Sequence, residues 1–371
     1  MGPSILYGLM ALSNEAKNSS PEIVRPGRSR RRERLNLAAL EPKVLEWLGQ
    51  SRGAPNEELV AEILHTVLKL DQREASRGDL KVINRTLKEL RQAFKIFAPH
   101  RSVRKVSIFG SARTPEQDPH YQSAVTFSRR LAEEGFMVIT GSGQGIMQAG
   151  HEGAGKEKSF GVNIHLPFEQ QANRFIKGDP KLIAFHFFFT RKLIFVKEAD
   201  AFVFFPGGFG TQDEAAEVLT LLQTGKSQMF PIVMLDLPDG GYWRDWENFV
   251  RGRMLSAGYI CEEDLSLFKI VEDVEEAVRE IKRFYSNYHS IRYVKRDMVM
   301  RLLSPPSMEL IAELNRDFRD ILTGGEIRAT PPLPEEADEP ATLSFHRLLV
   351  PFNRRNFGRL RQMIDAVNRE L

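Results

Sequence analysis

Three glycine-bearing turns hold the residues best suited to chemistry: Gly110-Ser111-Ala112, Gly141-Ser142-Gly143-Gln144-Gly145 and Pro206-Gly207-Gly208-Phe209-Gly210-Thr211. Each follows an apolar, strand-like run, ending at Ile108, Ile139 and Phe205. Glycine lets main-chain N–H groups approach an anion, and the positive end of a following helix adds attraction, so a phosphate is the natural occupant. Pro206, Gly207, Gly208, Gly210 and Thr211 are the main candidates, with Gly110, Ser111, Gly141, Ser142, Gly143 and Gly145 converging from the other turns and Asn163 ranked below them. For the first turn taken alone, a tight turn needing glycine for its backbone is the simpler reading. The dinucleotide fingerprint fails, because Ile146 stands where its third glycine belongs, and no glycine-lysine-serine/threonine phosphate loop occurs.

Two charged groups accompany the turns. Thr211 and Glu214 have the spacing of a capping box, so both side chains could serve free N–H groups at a helix start. The competing reading places Glu214, and Glu217 one turn on, beside a sugar attached to the phosphate. Arg191 and Lys192 open another predicted helix, where cations oppose the dipole; they are either ligands or a surface pair with an acid such as Glu198. His165, His186 and Cys261 form no ligand pattern, so no metal is expected, and no lysine has a distinctive cofactor setting.

The elements that must position these groups alternate. Strands are predicted near 103–109, 136–140, 159–164, 181–186, 200–205 and 230–235, with helices over 119–134, 145–155, 190–198, 211–223 and 243–254. This is the pattern of an α/β, Rossmann-like parallel sheet with helices on both faces, whose carboxyl edge collects all three turns. Residues 100–285 are assigned to this domain. Before it lie a basic arm, 1–35, with Arg28, Arg30, Arg31, Arg32 and Arg34, and a helical region, 36–99, with an apolar stripe of Leu80, Ile83, Leu87, Leu90, Phe94 and Phe97. After it comes a helical extension, 286–371: the cluster Tyr285, Tyr288, His289, Arg292, Tyr293, Lys295 and Arg296 precedes a helical stretch. A Pro-rich acidic linker near 323–341, with Glu335, Glu336, Asp338 and Glu339, is expected to seek solvent, and a last helix lies near 355–370.

A length of 371 residues implies more than one unit, and 42% hydrophobic with 27% charged residues is a folding composition. A net charge of +3 argues against a nucleic-acid or membrane coat, and the basic arm lacks interleaved aromatics, so no nucleic-acid partner is expected. Cys261 alone cannot form an internal disulfide, no apolar run suits a membrane span, and the cytoplasm is the expected compartment.

Taken together, the 141–147 segment, the Arg191-Lys192 pair and the 206–214 segment resemble the LOG (Lonely Guy) family, also called lysine decarboxylase-like, over about residues 100–285. The resemblance implies a Rossmann-like phosphoribohydrolase that cuts the N-glycosidic bond of a nucleoside 5′-monophosphate, of purine, pyrimidine or cytokinin riboside type, giving free base and ribose 5-phosphate. It implies Arg191 and Glu214 as the catalytic pair, Gly207, Gly208, Gly210 and Thr211 as the phosphate loop, no cofactor, and a homodimer or an assembly built from dimers. Plant-type members carry methionine and histidine before the arginine, whereas Phe188, Phe189 and Thr190 stand here. The added flanks look more like the longer bacterial nucleotide nucleosidases. Two other readings stand beside it: a non-catalytic nucleotide sensor or carrier, since the same fold and glycine turns can bind a nucleotide without cutting it, and, from the family's other name alone, a pyridoxal-phosphate lysine decarboxylase.

Overall fold

A computed structural model describes residue 46 and residues 56–71, 75–166 and 172–369. The 1–35 arm lies outside the described residues. The chain divides into two compact units, 1–75 and 76–371. In the first, helix α1 spans Glu57–Asp71 with Glu57 and Glu58 in its opening turn, where the dipole favours acids.

The second unit starts with α2 (Arg77–Phe97), which is closed at its amino end by a capping box between Ser76 and Asp79. The expected stripe splits into two lines. Leu90 and Phe97 pack into the core, Phe97 being fully buried, while Leu87 and Phe94 remain exposed. The core-facing line includes Ala93 and the buried acid Glu89.

A seven-stranded parallel sheet follows, made of β1 (Lys105–Phe109), β2 (Met137–Thr140), β3 (Ser159–Ile164), β4 (Leu182–Phe185), β5 (Ala201–Phe204), β6 (Ile232–Leu235) and β7 (Phe268–Val271), in the order β4-β3-β2-β1-β5-β6-β7. The six predicted strands are present, and β7 is an addition. Both faces are buried, which explains why the strands read as continuous apolar runs. Val106, Ile108, Val138 and Val203 face a core with α3 (Pro119–Glu133), α4 (Ile146–Ala154) and α8 (Val274–Phe284). Phe109, Ile139, Phe202 and Phe204 face the other, with α5 (Phe188–Glu198) and α6 (Phe209–Gln223).

The helix α7 (Tyr242–Phe249) lies between β6 and β7 in sequence. Beyond α8, the extension contains the expected helices, α9 (Met308–Asp317) and α10 (Phe357–Val367). It also holds an antiparallel sheet that the sequence reading did not anticipate: β8 (Tyr288–Val294), β9 (Asp297–Leu302), β10 (Arg328–Ala329) and β11 (His346–Val350), ordered β10-β11-β9-β8. The β8–β9 hairpin takes in the Tyr288–Arg296 cluster and the residues just after it, so the helical stretch expected after Arg296 begins only at Met308. Met298, Met300, Leu348, Val350, Leu360 and Ile364 join the same core as Phe202 and Phe204, so the extension packs on the sheet domain.

The acidic linker is also partly internal. Glu336 is fully buried and binds Arg301 (2.7 Å) and Arg347 (2.9 Å), contrary to the solvated segment expected there. Glu335, which pairs with Lys295, keeps the expected exposure.

Candidate active site

The strand order reverses between β1 and β5, since the chain runs outward from β1 to β4 and then returns to the other side of β1. Such a switch point leaves a crevice beyond the carboxyl ends of the two central strands. The 110–113 and 206–211 loops meet there: Ser111 N–H donates to Pro206 O (3.1 Å) and Phe205 N–H to Phe109 O (2.9 Å). A cleft of about 770 Å³ opens over them, lined by Gly110, Ser111, Gly141, Arg191, Gly207, Gly208, Gly210, Thr211 and Glu214 among the expected residues.

The capping-box reading of Thr211 and Glu214 does not hold. Helix α6 begins two residues earlier than expected: Gly208 is its N-cap, and no side chain caps it. Thr211 is therefore the third helical residue, and a Cβ on Gly207 would fall on its side chain. Glu214 sits one turn in, buried, facing the cleft. Burial, opposed by Arg191 and reinforced by Asp213, lifts its carboxyl from the usual 4.5 to about 7.

Arg191 lies in the first turns of α5, 8% exposed. Its Nε–H donates to Val162 O at 3.1 Å. Burial lowers its pKa and Glu214 opposes that shift, yet a guanidinium stays charged. Glu89 reaches across from α2 to hold this end of α5, accepting from Thr190 Oγ1 (2.6 Å) and His186 N–H (2.9 Å). A carboxylate at a helix amino end is favoured by the dipole.

The turn after β2 divides its labour. Gly141 borders the cleft, and a Cβ there would land on Arg191 Nη2. The remainder folds beneath: Ser142 is buried at φ 66°, its carbonyl accepts from Asn173 N–H, and Ile146 N–H donates to Ser111 O (3.0 Å). Ser142 and Gly143 are thus tied to Asn173 and Gly145 packs under Ser111, and none of the three lines the cleft, nor does Pro206. Lys192 turns away to Asp213 (2.7 Å) and Glu217 (3.1 Å), the surface pairing that was one of its two readings, although with different acids from Glu198. Neither Glu217 nor Asn163 borders the cleft. His165 and His186 lie with ring centroids 4.4 Å apart and their planes tilted by 46°, and no group able to hold a metal occurs among the described residues.

Gly141→Ala is expected to leave the melting temperature within a few degrees of the parent's, because the clash falls on the flexible end of a side chain. Any activity that needs Arg191 should fall about tenfold or more, since a shift near 1 Å in a positioned group has effects of this order. Paired melting and rate measurements check it.

Several cleft residues escaped the sequence reading. Tyr242, which opens α7, donates to Gly207 O (2.5 Å) and accepts from Gln212 Nε2 (2.7 Å), fixing the 206–211 loop from outside. Phe188, Phe209, Met147 and Arg113 complete the wall. Phe209, flanked by glycines and 96% exposed, offered the one local signal, an aromatic where a solvated turn would carry a polar residue.

The fold defines a Rossmann-like α/β domain with a cleft at its switch point. Residues 143–281 match the family described as possible lysine decarboxylase. Cytokinin riboside 5'-monophosphate phosphoribohydrolase LOG7 of Arabidopsis thaliana is 24% identical over 194 residues, covering 51% of this chain and 85% of that protein. The LOG enzyme of the same description from Oryza sativa subsp. japonica is 25% identical over 192 residues, covering 50% and 75%. Among solved structures, the molybdenum cofactor carrier protein of Chlamydomonas reinhardtii is 21% identical, with 49% of this chain and 97% of that one covered at a TM-score of 0.34. The resemblance of the central half of the chain to the LOG family is thereby shown. No helix among the described residues is long and apolar enough to cross a membrane.

Proposed function

We propose that this chain hydrolyses the N-glycosidic bond of nucleoside 5′-monophosphates, releasing the base and ribose 5-phosphate. The observation that carries the reading is Glu214, buried beside the glycine loop with Arg191 lining the same cleft and engaged in no helix cap. In this scheme the N–H groups of the 206–211 loop and the start of α6 hold the 5′-phosphate. That contact fixes the ribose over Glu214, whose carboxylate binds the sugar hydroxyls and stabilises the oxocarbenium-like charge that grows as the C–N bond stretches. Arg191 orients the nucleotide and assists the departing base. The apolar wall containing Phe188, Phe209 and Met147 suits a flat heterocycle.

The test is to incubate the full chain with AMP, GMP, CMP and a cytokinin riboside monophosphate and to assay free base and ribose 5-phosphate. Release from at least one supports hydrolysis. Tight binding of all four without release would make the chain a nucleotide carrier.

The role of Glu214 fixes a pH dependence. The carboxylate is the working form, and with a pKa of about 7 in the free protein it is progressively lost below neutrality. The expected kcat/KM falls about tenfold per pH unit on that acidic limb and levels off above it. A limb from Glu214 should vanish in Glu214→Gln, and full profiles of both proteins measure this.

A further inference from the structure

At the opposite, amino-terminal edge of the parallel sheet lies a second cavity of about 780 Å³, close to the active cleft in size. It is formed where the starts of β1, β5 and β6, marked by Arg104, Asp200 and Phe230, meet β8 and the 341–345 segment of the extension. Its charges are unequally committed. Arg104 stacks over the Tyr285 ring (3.5 Å) and reaches Asp200 (3.5 Å), while Asp200 also accepts from Lys105 N–H (2.8 Å). Lys197 is paired with Glu198. Arg101 and Lys226, both exposed at this cavity, have no ion-pair partner among the described residues.

Two hydroxyls in the same lining are also uncommitted. Tyr288, 1% exposed, has a buried phenol without a hydrogen-bond partner, and the buried Ser227 Oγ has none either. Leaving such a group unpaired costs about 1–3 kcal/mol. A fold that tolerates two beside two free cations is arranged for a ligand with several acceptor oxygens and negative charge, as a phosphate group has.

We propose that this cavity is a second binding site, for a phosphate-bearing small molecule. Arg101 and Lys226 supply the charge, and Tyr288 and Ser227 the neutral donors. The C-terminal sheet thereby gains a role, since it contributes Tyr288 and closes a cavity that the parallel sheet would leave open. The site lies across the sheet from Glu214 and does not depend on whether the chain is a hydrolase.

Calorimetric titration of the full chain with inorganic pyrophosphate tests this, repeated on the Arg101→Ala/Lys226→Ala double variant and on Tyr288→Phe. The double substitution alters exposed side chains, and circular dichroism confirms that each variant is folded. The expected result is a parent isotherm containing a site whose Kd rises tenfold or more in the double variant and about threefold or more in Tyr288→Phe, with hydrolysis of nucleotides unchanged where it is observed. A smaller loss in the double variant, an unchanged Kd in Tyr288→Phe, or no binding by the parent at millimolar pyrophosphate overturns the proposal. Pyrophosphate held only in the active cleft would leave the double variant's isotherm like the parent's and count against it.

Discussion

Replacing Glu214 by Gln is expected to lower kcat for nucleotide hydrolysis by about 10²–10³-fold, with KM changed only a few-fold. The amide preserves the shape and most of the hydrogen-bonding capacity of the side chain, so the ground-state complex survives. It lacks the negative charge that a positive ribose requires, and this difference is felt mainly in the transition state. The same substitution should stabilise the unliganded protein. Because the folded carboxyl is raised from 4.5 to about 7, its contribution to stability is fully present below 4.5 and is lost as pH rises through about 7. At pH 8 the buried carboxylate opposes folding by on the order of 3 kcal/mol, and the Gln variant escapes this. Its melting temperature should exceed the parent's at pH 8, with the difference shrinking towards pH 5. A lower melting temperature at both pH values, together with matched losses in affinity and turnover, would instead mean that Glu214 serves the scaffold.

Glu336→Gln should act on stability alone, and strongly. Arg301 and Arg347 are 3% and 1% exposed, and both bind this fully buried carboxylate. Burial would raise its pKa, but the Leu333 N–H and the two guanidiniums outweigh that and hold it below the usual range. Its contribution is therefore present above 4.5 and is lost as pH falls through the folded value. Removing the charge leaves two buried cations facing a neutral amide, which costs about 3–5 kcal/mol. Urea unfolding of the parent and the variant reads this difference. Glu335→Gln, one residue earlier but paired with the exposed Lys295, should leave the midpoint where it is. Equal, small shifts for both substitutions would show that the buried cluster does not hold the C-terminal sheet.

The contrast between Glu335 and Glu336 marks where sequence reasoning stops. Both stand in one acidic, proline-rich run, and composition assigns both to solvent. Their fates separate because arginines from β9 and β11, 35 and 11 residues away, converge on one of them. The hairpin β8–β9 was obscured for a related reason. Strand pairing is decided by a partner strand and a covering core, and Met298, Met300 and Leu302 carry no local mark that distinguishes a buried strand from a helix. The short strand β7 was missed likewise, since its pairing with β6 lies outside its own residues.

The joining of Arg191 with Glu214 in one site came only from the family resemblance; by itself, the sequence determined six strands of the parallel sheet and the glycine turns at their ends. These follow from local physics: apolar runs buried on both faces, and glycine where a backbone must turn sharply. The meaning of individual residues in those turns was settled only by tertiary structure. Gly141 makes room for the Arg191 guanidinium, and Gly145 tucks beneath Ser111. Lys192, adjacent to Arg191, leaves the cleft because successive helical residues point about 100° apart. Glu214 was freed from its apparent capping box because α6 starts at Phe209, so that Thr211 is already inside the helix and cannot be its N-cap. A spacing of three residues specifies a cap only once the first helical turn is known, and here that turn opens at Phe209, just past the contact of Pro206 O with Ser111 N–H.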